Sequence, residues 1–197
     1  SQLEPHMLFN TLANLRALIA VDPPAAQRML DRLDDYLRAT LGASRATAHP
    51  LAAEFARLRD YLELMAIRMG ARLAFALHLP DELQGVPVPP LLLQPLVENA
   101  IRHGLEPRVQ GGRIDVAAAR AGDQLLLTVQ DSGVGFDTTA VPPGERFGMA
   151  QVRERVATAY GGRGRVDVQS EPGAGATIRI ALPLGGDFAG AQSANPD

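Results

Sequence analysis

The chain of 197 residues contains no cysteine and no lysine; all 19 of its basic residues are arginine. Without cysteine there is no disulfide framework and no thiolate chemistry. Without lysine, two common ways of holding a nucleotide are excluded. A P-loop needs GxxxxGK followed by Ser or Thr, and a eukaryotic-type protein kinase needs a strand lysine on the phosphates. Any nucleotide site here must therefore have another architecture. The bias toward Arg, Ala and Pro fits a GC-rich genome and by itself assigns no role to the surface arginines. The formal charge of -3 offers no basic field for phosphate backbones, which argues against nucleic acid as a partner. Apolar residues make up 46% of the chain, ample for a core. No stretch approaches the ~18 consecutive apolar residues of a membrane span. The sequence opens on Ser1 in mid-pattern, without signal peptide or initiator Met, and reads as a fragment. Any membrane span is expected upstream of it.

Three helical patterns come first, over residues 6–20, 24–42 and 50–69. The second carries Met29, Leu30, Leu33, Leu37 and Leu41 on a stripe, after a turn marked by Pro23 and Pro24. The third carries Leu51, Phe55, Leu58, Leu62, Met65 and Met69, and Pro50 suits its first turn. The character then changes. Strands are expected over 72–79, 112–120, 124–131, 165–170 and 176–183, with helices beginning at Pro95 and near Gly148. The stretch 132–147 is glycine- and proline-bearing and reads as flexible; the small, polar tail over 186–197 reads as disordered. Helices followed by mixed α and β segments make an α+β chain of two modules.

PLVENAIRHG, over 95–104, carries the densest chemistry. Leu92, Leu93, Leu96, Val97, Ala100 and Ile101 recur at helical spacing and can be buried. Glu98, Asn99, Arg102 and His103 then cluster near one edge. The Asn carbonyl oxygen is a hard ligand that suits magnesium, and Arg and His are donors for phosphate. An amphipathic core helix with a solvated polar face would show the same pattern. DSGVGFD, over 131–137, puts Asp131 at the rim of a sheet, and Gly133 and Gly135 let backbone approach a ligand closely. A plain turn after a strand is the ordinary explanation of such a pair. Gly148 precedes a helix whose free N–H groups can take phosphate. EPGAGATIRIALP, over 171–183, is a glycine turn feeding the sheet.

In this order and spacing the four segments resemble the ATP-binding domain of the GHKL superfamily (Bergerat fold), over roughly residues 72–184. The resemblance implies that Asn99 coordinates magnesium and that Arg102 and His103 lie near the phosphates. It implies that Asp131 accepts a hydrogen bond from the adenine amine, that Gly133 and Gly135 open a mobile lid, and that Gly148 closes its far end. Two positions depart from the pattern. ATP-hydrolysing members place a glutamate base where this chain has Pro95, which disfavours a gyrase-like or Hsp90-like ATPase. The last motif, usually G-x-G-T, has Ala176 in the threonine position, with Thr177 following as the adenine-side candidate.

The first helix reads PHMLFNTLANL over 5–15. With Leu8 at zero on a helical wheel, Leu12, Leu15 and Ile19 fall within about 40° at roughly 100° per residue. On the same wheel His6, Asn10, Ala13 and Ala17 fall within about 40° of the opposite pole. That places His6 on a solvated face, where an isolated surface histidine would need no further account. The segment is similar to the phosphoacceptor segment of LytS-type sensor histidine kinases, PHFLFNTLN. LDDYLRATL (33–41), the helix over 51–69 and PPLLLQPLVENAIRHG (89–104) fit the same family. Met7 stands in place of its usual phenylalanine, and Met149 and Gln151 in place of Leu and Asn.

The resemblance implies Mg-ATP-dependent phosphorylation of His6 and transfer onward to an aspartate of a response-regulator receiver domain. A free imidazole, with a pKa of about 6.5, is largely neutral at cytoplasmic pH and able to attack a phosphoryl group. Glu4 and Glu98 are the candidates for taking the imidazole proton. Asn10 is a candidate for orienting a water, or is simply an exposed helix residue. The expected organisation is a dimerisation and phosphotransfer hairpin over 1–48, a connecting helix over 49–70, an ATP-binding α/β sandwich over 71–185 and the tail. A hairpin this short buries too little alone, whereas two pair into a four-helix bundle, so a homodimer is expected. The expected location is cytoplasmic, on a full-length protein of the bacterial inner membrane. Two other readings share the ATP domain: a nucleotide-binding signalling scaffold without phosphotransfer, and a serine kinase of the anti-sigma-factor type.

Overall fold

The computed structural model describes residues 5–43, 48–138 and 149–185, with backbone alone at 5–7 and 38–43. Gly148, most of the 132–147 stretch and the tail lie outside the described residues. Helices α1 (Pro5–Val21) and α2 (Pro23–Ala43) form the N-terminal hairpin. Asp22 makes its turn: its backbone carbonyl accepts from Ala26 and its side chain accepts from the Ala25 N–H at 3.0 Å, capping α2. Strand β1 (His49–Pro50) and helix α3 (Leu51–Met69) follow. Pro50 sits at the N-cap of α3, and Gly70, at φ 59°, takes the left-handed conformation that ends it.

The second part is a five-stranded sheet in the order β2-β4-β5-β7-β6. Its strands are β2 (Leu73–His78), β4 (Gly112–Ala121), β5 (Gln124–Asp131), β6 (Arg165–Glu171) and β7 (Gly175–Pro183). Only β2–β4 is parallel; the other pairs are antiparallel. A short β3 (Pro87–Val88) pairs with β1 and ties the start of α3 to the loop before α4 (Gln94–Asn99). The helical path of α4 continues without a break as a π-helical segment, Ala100–Leu105. Helix α5 (Met149–Tyr160) precedes β6.

One face of the sheet is apolar and covered, as the strand alternation requires. Ile114, Val116, Leu125, Leu127, Val129, Ile178, Ile180 and Leu182 are buried there, with α3, α4, its π-helical continuation and α5 packed over them. Every apolar residue expected inside on the 92–101 segment is buried.

The hairpin departs from the wheel. Leu12 and Ile19 are 50% and 60% exposed, and Leu30 of the α2 stripe is 51% exposed. The packed side of α1 instead runs through Leu8, Thr11, Leu15 and Leu18, with Thr11 fully buried. That side lies about 50° round the helix from the expected one, at roughly 100° per residue. The physical reason is that α1 is apolar on two neighbouring sides. One packs within the chain, and Phe9, Leu12 and Ile19 cover the other.

Candidate active site

The site begins with the loop that feeds α4. Leu91 has φ 58°, a left-handed backbone for a residue that is not glycine. Such strain persists only where the surroundings over-determine it. Here the fixing group is Glu54 in the first turn of α3, 1% exposed. One carboxylate oxygen accepts the Leu91 N–H at 3.1 Å and the other accepts the Leu93 N–H at 2.8 Å. His49 Nε2 lies 2.9 Å from the same carboxylate, and the Arg57 guanidinium, with a nitrogen 3.4 Å away, offsets its charge. Burial lowers the Arg57 pKa and the Glu54 charge works against that shift. From the other side Arg155 donates to the Pro90 carbonyl at 2.6 Å. The start of α4 is therefore held by α3 and α5 together.

From this anchor α4 runs across the end of β5 and widens into the π-helical segment, an arrangement that recurs at functional sites. Gly104 is brought against Asp131: a Cβ on Gly104 would stand 2.8 Å from Asp131 Oδ1. Its carbonyl accepts the Val134 N–H at 2.9 Å. Gly133 is closer still, since a Cβ there would lie 2.4 Å from the Gly104 carbonyl carbon and oxygen. Gly135 (φ 58°) and Gly175 (φ 81°) have the same character against the Glu171 and Asp131 carbonyls. These glycines let three backbone segments meet around one carboxylate.

The result is a cleft lined by Asn99, His103, Gly104, Asp131, Phe136 and Ile178, among others. Apolar walls with one buried carboxylate suit a flat heteroaromatic ring that donates a hydrogen bond. Burial raises the Asp131 carboxyl above the usual carboxylate range, and the N–H groups of Gly133 and Ala176 oppose this. The Gly133 N–H donates to Oδ1 at 2.8 Å. The side chain is thus oriented as an acceptor at the floor of the cleft.

Of the residues expected at the site, Asn99, His103, Asp131 and Gly135 line the cleft, and Gly133 packs against the lining residue Gly104. Arg102 is exposed and is not a lining residue. Thr177 is replaced in the lining by Ala176 and Ile178. Alternation along β7 turns these two toward the helices and Thr177 toward the opposite face of the sheet. Glu98 is buried on the α2 side of α4: Tyr36 donates to its Oε1 at 2.9 Å. His6 and Asn10 lie on α1; the His6 side chain and Gly148 are outside the described atoms. Glu54, Tyr36 and Gln94 carry no motif that marks them in the sequence as site residues. Glu54 could have been found, because it falls at helical spacing on the apolar stripe between Leu51 and Leu58.

Fold and cleft together define an ATP-binding domain of the GHKL class carried behind a helical hairpin. Residues 1–73 match the family described as histidine kinase. Residues 90–186 match the family described as histidine kinase-, DNA gyrase B-, and HSP90-like ATPase. The sensor protein LytS of Oceanobacillus iheyensis is 27% identical over 195 residues, 93% of this chain and 33% of that protein. The Escherichia coli sensor histidine kinase BtsS is 31% identical over 183 residues, 93% of this chain and 32% of its own length. Among solved structures, the histidine kinase domain of a blue-light activated histidine kinase from Erythrobacter litoralis superposes with a TM-score of 0.56 at 25% identity. That superposition covers 81% of this chain and 75% of the other. The two family models together place the chain among the histidine kinases, and 93% of it is similar to LytS sensor proteins. It spans about a third of the length of the curated relatives it matches.

Proposed function

We propose that the chain is the catalytic core of a two-component sensor histidine kinase, which phosphorylates His6 from Mg-ATP and passes the phosphoryl group to a receiver-domain aspartate. The observation that carries this reading is the Asp131 cleft, built on the same polypeptide as a histidine-bearing helix of the family's phosphoacceptor type.

Asp131 accepts the adenine amine, and its buried, N–H-braced carboxylate makes that contact directional. Apolar Leu96, Ala100 and Ile178 give the ring its dry walls. Asn99 offers one neutral oxygen, and no cluster of three or more metal-ligating His, Asp or Glu residues occurs among the described residues. A site of that kind holds magnesium only jointly with phosphate oxygens, which is the usual mode for this ion. Magnesium offsets the charge of the triphosphate. His103, which lines the cleft, and Arg102, on the exposed side of the same helix, are the donors assigned to the phosphates. The neutral His6 imidazole attacks the γ-phosphorus, the bond to the ADP oxygen breaks, and the imidazole proton is released. Glu98 is the candidate acceptor for that proton within the described side chains, Glu4 the one outside them. Placement and charge neutralisation supply most of the catalysis in such transfers. Asn10 is assigned to orienting the water that hydrolyses the phosphorylated aspartate of the partner.

The active form is taken to be a homodimer. Phe9, Leu12 and Ile19 on α1 and Leu30 on α2 leave apolar surface open on the hairpin, at 71%, 50%, 60% and 51% exposure. A second hairpin covers that surface in a four-helix bundle. No described helix is long and apolar enough to cross a membrane, and the chain is assigned to the cytoplasmic side of its full-length protein. The test is incubation with γ-labelled ATP and magnesium, followed by acid and base treatment. Acid-labile, base-stable label that disappears in His6→Ala supports the reading. Label that persists in His6→Ala refutes it.

A further inference from the structure

We propose that Tyr36, Gln94 and Glu98 form a buried interdomain clasp, which makes Tyr36 and Gln94 positioning residues for the transfer reaction. The inference rests on the kinase reading above for its consequence, but its geometry stands apart from it.

Tyr36 is on α2, in the hairpin that begins with His6; Gln94 and Glu98 are on α4, in the ATP domain. The Tyr36 side chain is fully buried. Its ring packs against Tyr61 of α3, with centroids 5.7 Å apart and a tilt of 43°. Its hydroxyl accepts from Gln94 Nε2 at 2.6 Å and donates to Glu98 Oε1 at 2.9 Å. Gln94 Nε2 also donates to that Oε1, at 2.8 Å. The i and i+4 spacing puts Gln94 and Glu98 on one side of α4, which is the side that meets the hairpin. Asn99 follows Glu98 directly and turns into the cleft. One short helix therefore carries the hairpin contact on one side and the assigned magnesium ligand on the next.

Apolar packing is non-directional and tolerates sliding. Met29 and Leu33 of α2 would hold the hairpin without these polar groups. Hydrogen bonds of 2.6–2.9 Å fix one register and are lost on a shift of about 1 Å. The cluster is not tuned for stability, since Gln94 Oε1 is buried without a hydrogen-bond partner among the described residues.

Tyr36→Phe keeps the ring and removes the hydroxyl bonds to Gln94 and Glu98. Mg-ATP affinity is expected to stay within about twofold of wild type, because no cleft residue changes. The rate of His6 labelling at saturating ATP is expected to fall at least tenfold. Combining Tyr36→Phe with Gln94→Leu is expected to cost much less than the product of the two single effects, as for two ends of one bond. A second measurement reads the clasp without catalysis. Cysteines introduced at exposed Gln27 and Asp123, in a chain that has none of its own, carry spin labels. Diluted with unlabelled chain, the parent gives one narrow distance distribution and Tyr36→Phe a broadened one. An unchanged or raised labelling rate in Tyr36→Phe overturns the proposal, as does a fall that only follows lost ATP affinity. If the parent chain takes no label at all, the kinase reading has failed. The spin-label distances then decide the clasp alone, and a distribution that stays narrow in Tyr36→Phe overturns it.

Discussion

Replacing Glu54 with alanine tests the claim that the ATP helix is set by a strained loop held from α3. The substitution removes both acceptors of the Leu91 and Leu93 N–H groups and leaves Arg57, itself buried, without its carboxylate. A buried N–H left unpaired costs about 1–3 kcal/mol. Removing one partner of a buried ion pair costs about 3–5 kcal/mol, mostly through the charge left behind. Water entering the gap recovers part of both, so the expected loss is about 3–6 kcal/mol. That is a large share of a typical unfolding free energy of ~5–15 kcal/mol. Glu54→Gln keeps one oxygen for one of the N–H groups and is expected to lose about half as much. Urea unfolding of the three proteins, compared at equal m-value, ranks them. Leu91 also loses the restraint on its left-handed backbone, so nucleotide affinity is expected to fall in Glu54→Gln although the residue lies outside the cleft. A loss below ~1 kcal/mol for Glu54→Ala would show that α4 is positioned without the brace.

Gly133→Ala drives a Cβ into the Gly104 backbone at 2.4 Å, so ATP binding is expected to vanish at temperatures where the circular dichroism stays native. Asp131→Asn is expected to abolish ATP binding in calorimetry while the protein remains folded; retained affinity removes Asp131 from the adenine contact. The carboxyl is raised by burial, so the folded state holds its proton to higher pH than the unfolded chain does. Stability carried by this group therefore declines as pH rises out of the unfolded carboxylate range, whereas ATP affinity declines as acidification protonates the acceptor. Affinity unchanged on acidification to pH ~4, the ordinary Asp value, argues against a carboxylate acceptor. Burial also pushes the Tyr160 phenol up to about 12. The unfolded chain ionises at lower pH, so its stability contribution is lost as pH rises from about 10 toward 12. Tyr160→Phe is expected to flatten that alkaline decline.

The site helix was legible because its apolar residues share one helical period. Leu92, Leu93, Leu96, Val97 and Ile101 obey one period, and Asn99 and His103 fall where that period leaves them, at the cleft. Asp131 was legible because it ends an alternating strand. Thr177 lies off the cleft lining because the pleat turns Ala176 and Ile178 inward, which a motif compared by position cannot see. The face of α1 was misplaced because Leu12 and Ile19 are as apolar as Leu15 and Leu18, and pattern does not tell an intrachain contact from an open apolar side. The buried polar groups were hardest to read. Glu54, Tyr36 and Gln94 each sit on an apolar stripe, and only their partners, between 37 and 62 residues away, give them a role. The π-helical turn that presses Gly104 onto Asp131 leaves no periodic signature in six residues.

The most direct measurement is phosphoamino-acid analysis of the chain after incubation with γ-labelled ATP and magnesium, on wild type, His6→Ala and Asp131→Asn. The account predicts phosphohistidine at His6 in the wild type and none in either variant. Phosphohistidine that survives His6→Ala, or phosphoserine in place of it, would contradict the account.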